Sequence, residues 1–262
     1  PTEVSRMSNT ANPNNTKNLR KYLNPRYLNN PIVTGTFFLT TSGIITKFIG
    51  FFYRIFLSRV FTEESLGIFG LVSPVMILEH SICASGIQNA ITRFVAASKK
   101  DKTSEAYGFL FTGISISIFL SGIMAYVIFN QAPFIALNII GERRCTPLLR
   151  ICALSFPLAT IHSCVNGFFY GQKRASVPAL TMIIEQICRV CTVYALYKLS
   201  VEAGANVSLS YICLCMLAGE FSSAFLSCFI LALRPDNKNF SIRRSLSCNK
   251  GLSIISLALP IS

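Results

Sequence analysis

An all-α, polytopic membrane helix bundle is the fold class this chain predicts, with six transmembrane helices and the start of a seventh. Three observations point to it. Hydrophobic residues are 52% of the 262 and charged residues only 13%, against about 25% charged in soluble domains. Mean hydropathy is +0.52 although the first thirty residues are polar. Apolar runs also recur at the roughly 20-residue length that crosses a bilayer.

Residues 1–30 are Asn-rich and basic, with Arg6, Lys17, Arg20, Lys21 and Arg26 and no periodic apolar face. They read as a polar, disordered or interfacial cytoplasmic tail. No small-residue cleavage pattern follows, so the tail is not a signal peptide; Met7 is a candidate initiator. A six-helix lobe over 31–234 comes next, its spans running Ile32–Val60, Leu66–Ala96, Tyr107–Phe129, Leu148–Tyr170, Val177–Leu199 and Leu209–Leu233. Residues 235–250 form a basic loop, and 251–262 begin a seventh span that stops at the chain end, as in a fragment. Pro178 falls in the first turn of the fifth helix, where a missing N–H costs little. Pro74 and Pro157 lie inside spans and are expected to kink them.

Net charge is +13, from 24 Lys and Arg against 11 Asp and Glu. The basic residues sit between apolar runs without interleaved aromatics, so they predict membrane topology and not nucleic acid. With the N-terminus inside, the inner segments hold the tail cations, Arg93, Lys99, Lys100, Lys102, Lys173, Arg174, Arg234, Lys238, Arg243, Arg244 and Lys250. The outer segments hold only Arg59, Arg143, Arg144, Arg150 and Lys198. A cytoplasmic N-terminus follows from that bias, the Arg143-Arg144 pair running against it.

Ionisable residues at membrane depth are expensive and mark function more often than not. Lys47 and Arg54 lie seven residues apart in the first span, on one face and about 10 Å apart in height. A cationic stripe at that depth suits an anionic headgroup, since guanidinium matches phosphate oxygens. Snorkelling to the outer headgroups is the alternative for Arg54 and Arg59, while Lys47 lies too deep for it to be easy. Glu185 and Arg189 stand i,i+4 with the acid first, the favourable order. They read either as a self-neutralising pair holding helices together or as the wall of a polar cavity near a coupling-ion path. Glu79, next to His80, and Glu220 are further buried acids that could take a proton. His162 reads as a packed, hydrogen-bonded histidine.

Signatures of catalysis are missing from the sequence. There is no phosphate-cradling loop, His-Glu-x-x-His, Asp-x-Asp pair or Gly-x-Ser-x-Gly elbow, and Asp101, Glu142 and Asp236 stand alone in loops. An enzyme is therefore not expected, nor a cofactor. Of ten cysteines, eight lie in apolar runs. Cys188-x-x-Cys191 has zinc-like spacing but no second ligand pair, so small packing residues are expected and no metal. Gly167-x-x-x-Gly171 allows close helix approach.

Three stretches carry a resemblance. The first is Gly35, Lys47, Gly50 and Tyr53-Arg54, with Gly67-Ile68-Phe69 and Pro74. The second is Gly86-Ile87, Ala90 and Arg93, similar to a Gly-Ile-Pro-x-Ala-Ile-Ser-Lys segment with Gln88 where proline is usual. The third and most specific is Gly167-Phe168-Phe169-Tyr170-Gly171-Gln172, Pro178 and Glu185-Gln186-x-x-Arg189-Val190. The chain thereby resembles the polysaccharide-flippase branch of the multidrug/oligosaccharidyl-lipid/polysaccharide transporter superfamily, in particular its stage V sporulation protein B group. The likeness covers roughly residues 32–262. It implies the N-terminal lobe of a two-lobed transporter in a bacterial cell membrane. Such a protein flips lipid-linked oligosaccharide or peptidoglycan precursors by alternating access, driven by Na+ or H+ or by membrane potential. Lys47 and Arg54 would then bind cargo, and Glu79, Glu185, Arg189 and Glu220 would line the cavity or couple the ion. A cation-coupled multidrug exporter is one alternative; a non-transporting scaffold of wall synthesis is another.

Overall fold

A computed structural model describes residues 31–98, 103–204 and 208–233. The tail over 1–30, the basic loop over 235–250 and the start of a seventh span lie outside the described residues. Those described form helices without a strand: α1 (Pro31–Val60), α2 (Glu63–Glu79), a π-helical turn (His80–Ser85), α3 (Gly86–Ala97), α4 (Thr103–Phe134), a second π-helical turn (Ile135–Ile140), α5 (Cys145–Gly171), α6 (Ser176–Glu202) and α7 (Ser210–Ala232). Each π turn continues its neighbours without a break, so these elements make six spans long and apolar enough to cross a membrane. The protein is a multi-pass membrane helix bundle.

Two spans differ from the sequence expectation. The third does not stop at Phe129 but runs on through Asn130, Gln131 and Pro133 to Ile140. Asn130 stays inside the helix by donating its amide to the Tyr126 carbonyl at 2.8 Å, so its polarity is no helix end. Gly141, at φ 82°, closes the π turn, a backbone that glycine adopts without strain. The second span holds a π turn beginning just after Glu79, and such turns gather at functional sites. Gln88 sits within α3 downstream of it. α2 and α5 both continue through their prolines, Pro74 and Pro157.

α5 is the axis of the bundle. Of its membrane-crossing window 61% is buried, against 6% for α1. It packs on α4, α7, α3 and α2, while α6 packs on α7 and α1 lies outermost along α6. Lipid tails are as apolar as leucine, so contact in the membrane comes from close fit and small residues and not from expulsion of water. The α3–α5 seam shows this. A Cβ added at Gly167 would stand 2.7 Å from the Gln88 carbonyl oxygen, and one at Gly171 2.8 Å from that of Thr92. Through this approach the Thr92 hydroxyl, 2.8 Å from the Gln88 carbonyl of its own helix, also reaches the Gly167 carbonyl at 3.0 Å. On the other side of α5, Ser121 and Thr160 bond at 3.2 Å and Cys164 donates to Ser117 at 3.2 Å.

Apolar packing collects at two levels along α5. Toward its C-terminus, Ile87, Ile91, Tyr107, Leu110, Val165, Phe168 and Phe169 form one group. Toward its N-terminus, Ile68, Val72, Ile128, Leu148, Leu149 and Phe156 form another. Between them lies a polar layer.

At the α2 and α5 N-terminal end, Thr62 caps α2 by accepting from Ser65 N, with Glu63 and Glu64 in the first turn, where the helix dipole favours acids. Arg144 reaches Glu64 at 2.6 Å and Glu142 at 3.1 Å. Its charge is answered by acids on the same end. The side-chain and backbone N–H groups of Arg144 that bond Glu142 hold its carboxyl below the usual carboxylate range, and the bonds to Glu142 and Glu64 raise the Arg144 guanidinium.

Candidate functional site

The polar layer is built by three helices at mid-span. α5 supplies His162 and Asn166, α6 supplies Thr181, Glu185 and Arg189, and α7 supplies Glu220 and Ser223. Spacing within α6 explains half of the geometry: Glu185 and Arg189 are one turn apart and bond directly. Tertiary packing supplies the rest. The same Arg189 Nη2 donates to Glu220 Oε1 across the α6–α7 seam at 3.1 Å. Gly219 makes room for it, because a Cβ there would stand 2.6 Å from Arg189 Cγ. Side-chain exposure is 17% for Arg189, 13% for Glu185 and 19% for Glu220, so the set is held largely away from lipid.

His162 joins the acids from α5. Its Nδ1 lies 3.9 Å from Glu220 Oε2 and 3.2 Å from Ser223 Oγ. Ser223 also donates its hydroxyl to the Glu220 carbonyl, which leaves its oxygen able to accept from an Nδ1–H. Nε2 is 2.7 Å from Asn166 Nδ2 and 3.3 Å from Thr181 Oγ1. Thr181 also donates to the Pro178 carbonyl, so its oxygen accepts from the ring only when Nε2 is protonated. Both faces of the ring are thus engaged. Glu79 faces the layer from the second span, 3% exposed, with Oε1 lacking a partner among the described residues. It is close enough to Glu220 for the two acids to repel.

Of the sequence candidates, Glu185, Arg189 and Glu220 come together and Glu79 borders them. Lys47 and Arg54 do not join them. Both are exposed on α1, while the adjacent Tyr53 turns inward and its hydroxyl meets Cys215 Sγ at 2.9 Å. No acid pairs with Lys47 or Arg54 among the described residues. His162 is the packed, hydrogen-bonded histidine expected, whereas Asn166, Thr181 and Ser223 were not singled out, since polar residues in apolar runs give no sign of what faces them across helices. A shallow pocket of about 250 Å³ lies elsewhere, at the loop end between Ser65, Ile68, Arg144, Leu148 and Leu209. Its lining is open and carries no set of interacting ionisable groups beyond the Arg144 bridge, so the chemistry resides in the buried layer.

The family described as polysaccharide biosynthesis protein matches residues 32–262. Stage V sporulation protein B of Bacillus subtilis (strain 168) is 27% identical over 191 residues, covering 72% of this chain and 37% of its own length. Lipid II flippase MurJ of the same organism is 23% identical over 206 residues, covering 74% and 38%. The uncharacterized membrane protein YabM, also from that strain, is 24% identical over 174 residues, covering 66% and 32%. The chain therefore spans about a third of the length of the curated relatives it matches. No solved structure matches it.

Proposed function

The chain belongs to the polysaccharide biosynthesis protein family, and from that premise we propose that it is the six-helix part of a flippase for a lipid-linked, anionic glycan precursor. Cargo crosses the bacterial cytoplasmic membrane by alternating access, with the N-terminus on the cytoplasmic side. The relative named as a lipid II flippase supports the cargo class. The observation that carries the reading is the exposed, acid-free pair Lys47 and Arg54 on α1. Lys47 sits near the middle of the helix, about 20–24 Å from either end at 1.5 Å per residue. A lysine that deep cannot bring its ammonium to the headgroups by snorkelling alone. An outward-facing cation there suits a face that opens onto a polar route, completed by the further length that the relatives possess. The pyrophosphate of the cargo would answer both charges as it passes.

Glu185, Arg189 and Glu220 would act inside the lobe, as the ionic core that holds α5, α6 and α7 as one moving body and takes the coupling ion. A multidrug exporter of cationic compounds suits the stripe poorly, because its cargo would meet like charge on α1. The test replaces Lys47 and Arg54 together by Gln in the full-length protein and follows appearance of the lipid-linked precursor on the outer leaflet. Movement should be lost while membrane insertion and protein level hold. Undiminished flipping, or an effect on ethidium efflux alone, refutes the cargo assignment.

A further inference from the structure

The buried layer holds one permanent cation and two acids that share it. Arg189 answers Glu185 and Glu220 through a single nitrogen, so the set lacks one positive charge whenever His162 is neutral. Something must supply that charge, because an unbalanced carboxylate away from water is strongly disfavoured.

A metal ion is the first candidate. A ring nitrogen of His162 and one oxygen each of Glu185 and Glu220 lie within 4.8 Å of one another. That space is already taken: the Arg189 guanidinium stands between the two carboxylates and bonds both. A metal cation there would sit against a permanent positive charge. A proton needs no room and no ligand shell.

The second observation is Asn166. It is 7% exposed, its Nδ2 lies 2.7 Å from His162 Nε2, and its Oδ1 has no partner among the described residues. An amide turned over exchanges donor for acceptor. In one orientation Asn166 donates to the bare Nε2 of a neutral imidazole whose Nδ1–H faces Ser223 and Glu220. Turned over, its idle oxygen accepts from a protonated Nε2. The same side chain therefore serves both charge states of the ring, which an ordinary packed histidine does not need. Glu220 then faces the imidazolium through Nδ1–H.

We propose that His162 and Glu220, with Asn166 as their adaptable partner, form a proton-binding site at mid-depth of the bundle, and that H+ and not a metal cation is its ion. The groups facing the pair are Glu185 and Arg189 from α6, Ser223 from α7, and Glu79 and His80 from the second span, His80 being within electrostatic reach of Glu220. Tyr53 of α1, bonded to Cys215, lies within reach of Arg189. Binding is simple addition: the Nε2 lone pair takes H+, Asn166 turns to accept it, and the imidazolium joins Arg189 in answering Glu185 and Glu220, with Glu79 at the border. That the proton drives transport rests on the flippase reading above; the site itself is read from geometry.

The experiment is nitrogen-15 NMR of histidine-labelled full-length protein in lipid nanodiscs, with His162 identified as the signal lost in His162→Gln. The His162 signals should pass from the neutral to the protonated pattern as pH is lowered. The midpoint should fall by about one pH unit or more in Glu220→Gln and stay unmoved when Na+ replaces choline. An imidazole that never titrates, an unchanged midpoint in Glu220→Gln, or a Na+-dependent displacement of its signals overturns the proposal. Should Glu220→Gln not fold, Asn166→Leu gives a second reading: loss of the acceptor should lower the midpoint, and no change refutes the site. The coupling role is tested apart, by precursor flipping in proteoliposomes under an imposed H+ or Na+ gradient. Flipping driven by Na+ alone overturns that role, whereas no flipping under either gradient counts against the cargo and not the site.

Discussion

Arg189→Gln is the perturbation that tests the ionic layer most directly. The substitution keeps length and some hydrogen bonding but removes the one fixed cation shared by Glu185 and Glu220. With all three side chains less than one-fifth exposed, solvent screening is weak. Removing one partner of a buried ion pair costs about 3–5 kcal/mol, because a charge is left unanswered. Neutral interhelical hydrogen bonds in membranes average only about 0.6 kcal/mol, so the two accounts are well separated. Reversible unfolding of the purified protein in mixed micelles would read the difference, followed by a fluorescent pair on the exposed thiols Cys191 and Cys228 of α6 and α7. The loss should shrink as pH falls, since carboxylates without a cation take up protons and shed their charge. The triple change Glu185→Gln, Arg189→Gln, Glu220→Gln should return stability to near the starting value or above it, as replacement of whole buried ion sets tends to do. A cost for Arg189→Gln under about 1 kcal/mol, the scale of the neutral-bond average, or one that does not depend on pH, refutes a charged, desolvated layer.

The remaining expectations concern packing and the loop end. Gly167→Ala and Gly171→Ala should each destabilise by about 1–3 kcal/mol, because the new methyl meets a backbone oxygen that cannot step aside; Gly50→Ala, with nothing within 4 Å, is the control. Equal unfolding midpoints for all three would contradict the α3–α5 seam. In Arg144→Gln, the Glu142 carboxyl should return upward toward about 4.3, the ordinary value, as followed by carbon-13 NMR of labelled glutamate. The sign follows from its lowered position: the contribution of the Arg144 link is present above the ordinary carboxylate range and fades as acid carries pH through the depressed value. A Glu142 titration that ignores the substitution would remove that link.

Much of this architecture can be read without coordinates because lipid imposes a length. Runs of about 20 apolar residues must be helices, since no other single segment satisfies its backbone in hydrocarbon. The Glu185–Arg189 bond is local, set by the rise of one turn, and the Gly167 and Gly171 spacing announces a close approach without naming Gln88 and Thr92 as the neighbours. The Arg144–Glu64 contact joins residues eighty apart and could not be read from the sequence.

The faces of the helices were not legible. A soluble helix shows its inner side by a stripe of apolar residues, but here lipid and core are equally apolar and the stripe is erased. α5 is the buried axis and α1 the outer rail, yet both read simply as hydrophobic. For the same reason His162 could not be matched to Glu220 or Asn166, nor Glu220 to Arg189. Sequence alone determined how many rods cross the membrane and which carry charge. Only the packing of α5, α6 and α7 decided which charges meet, because partners on different helices are chosen by azimuth and depth, and periodic hydropathy encodes neither in a solvent that resembles the core.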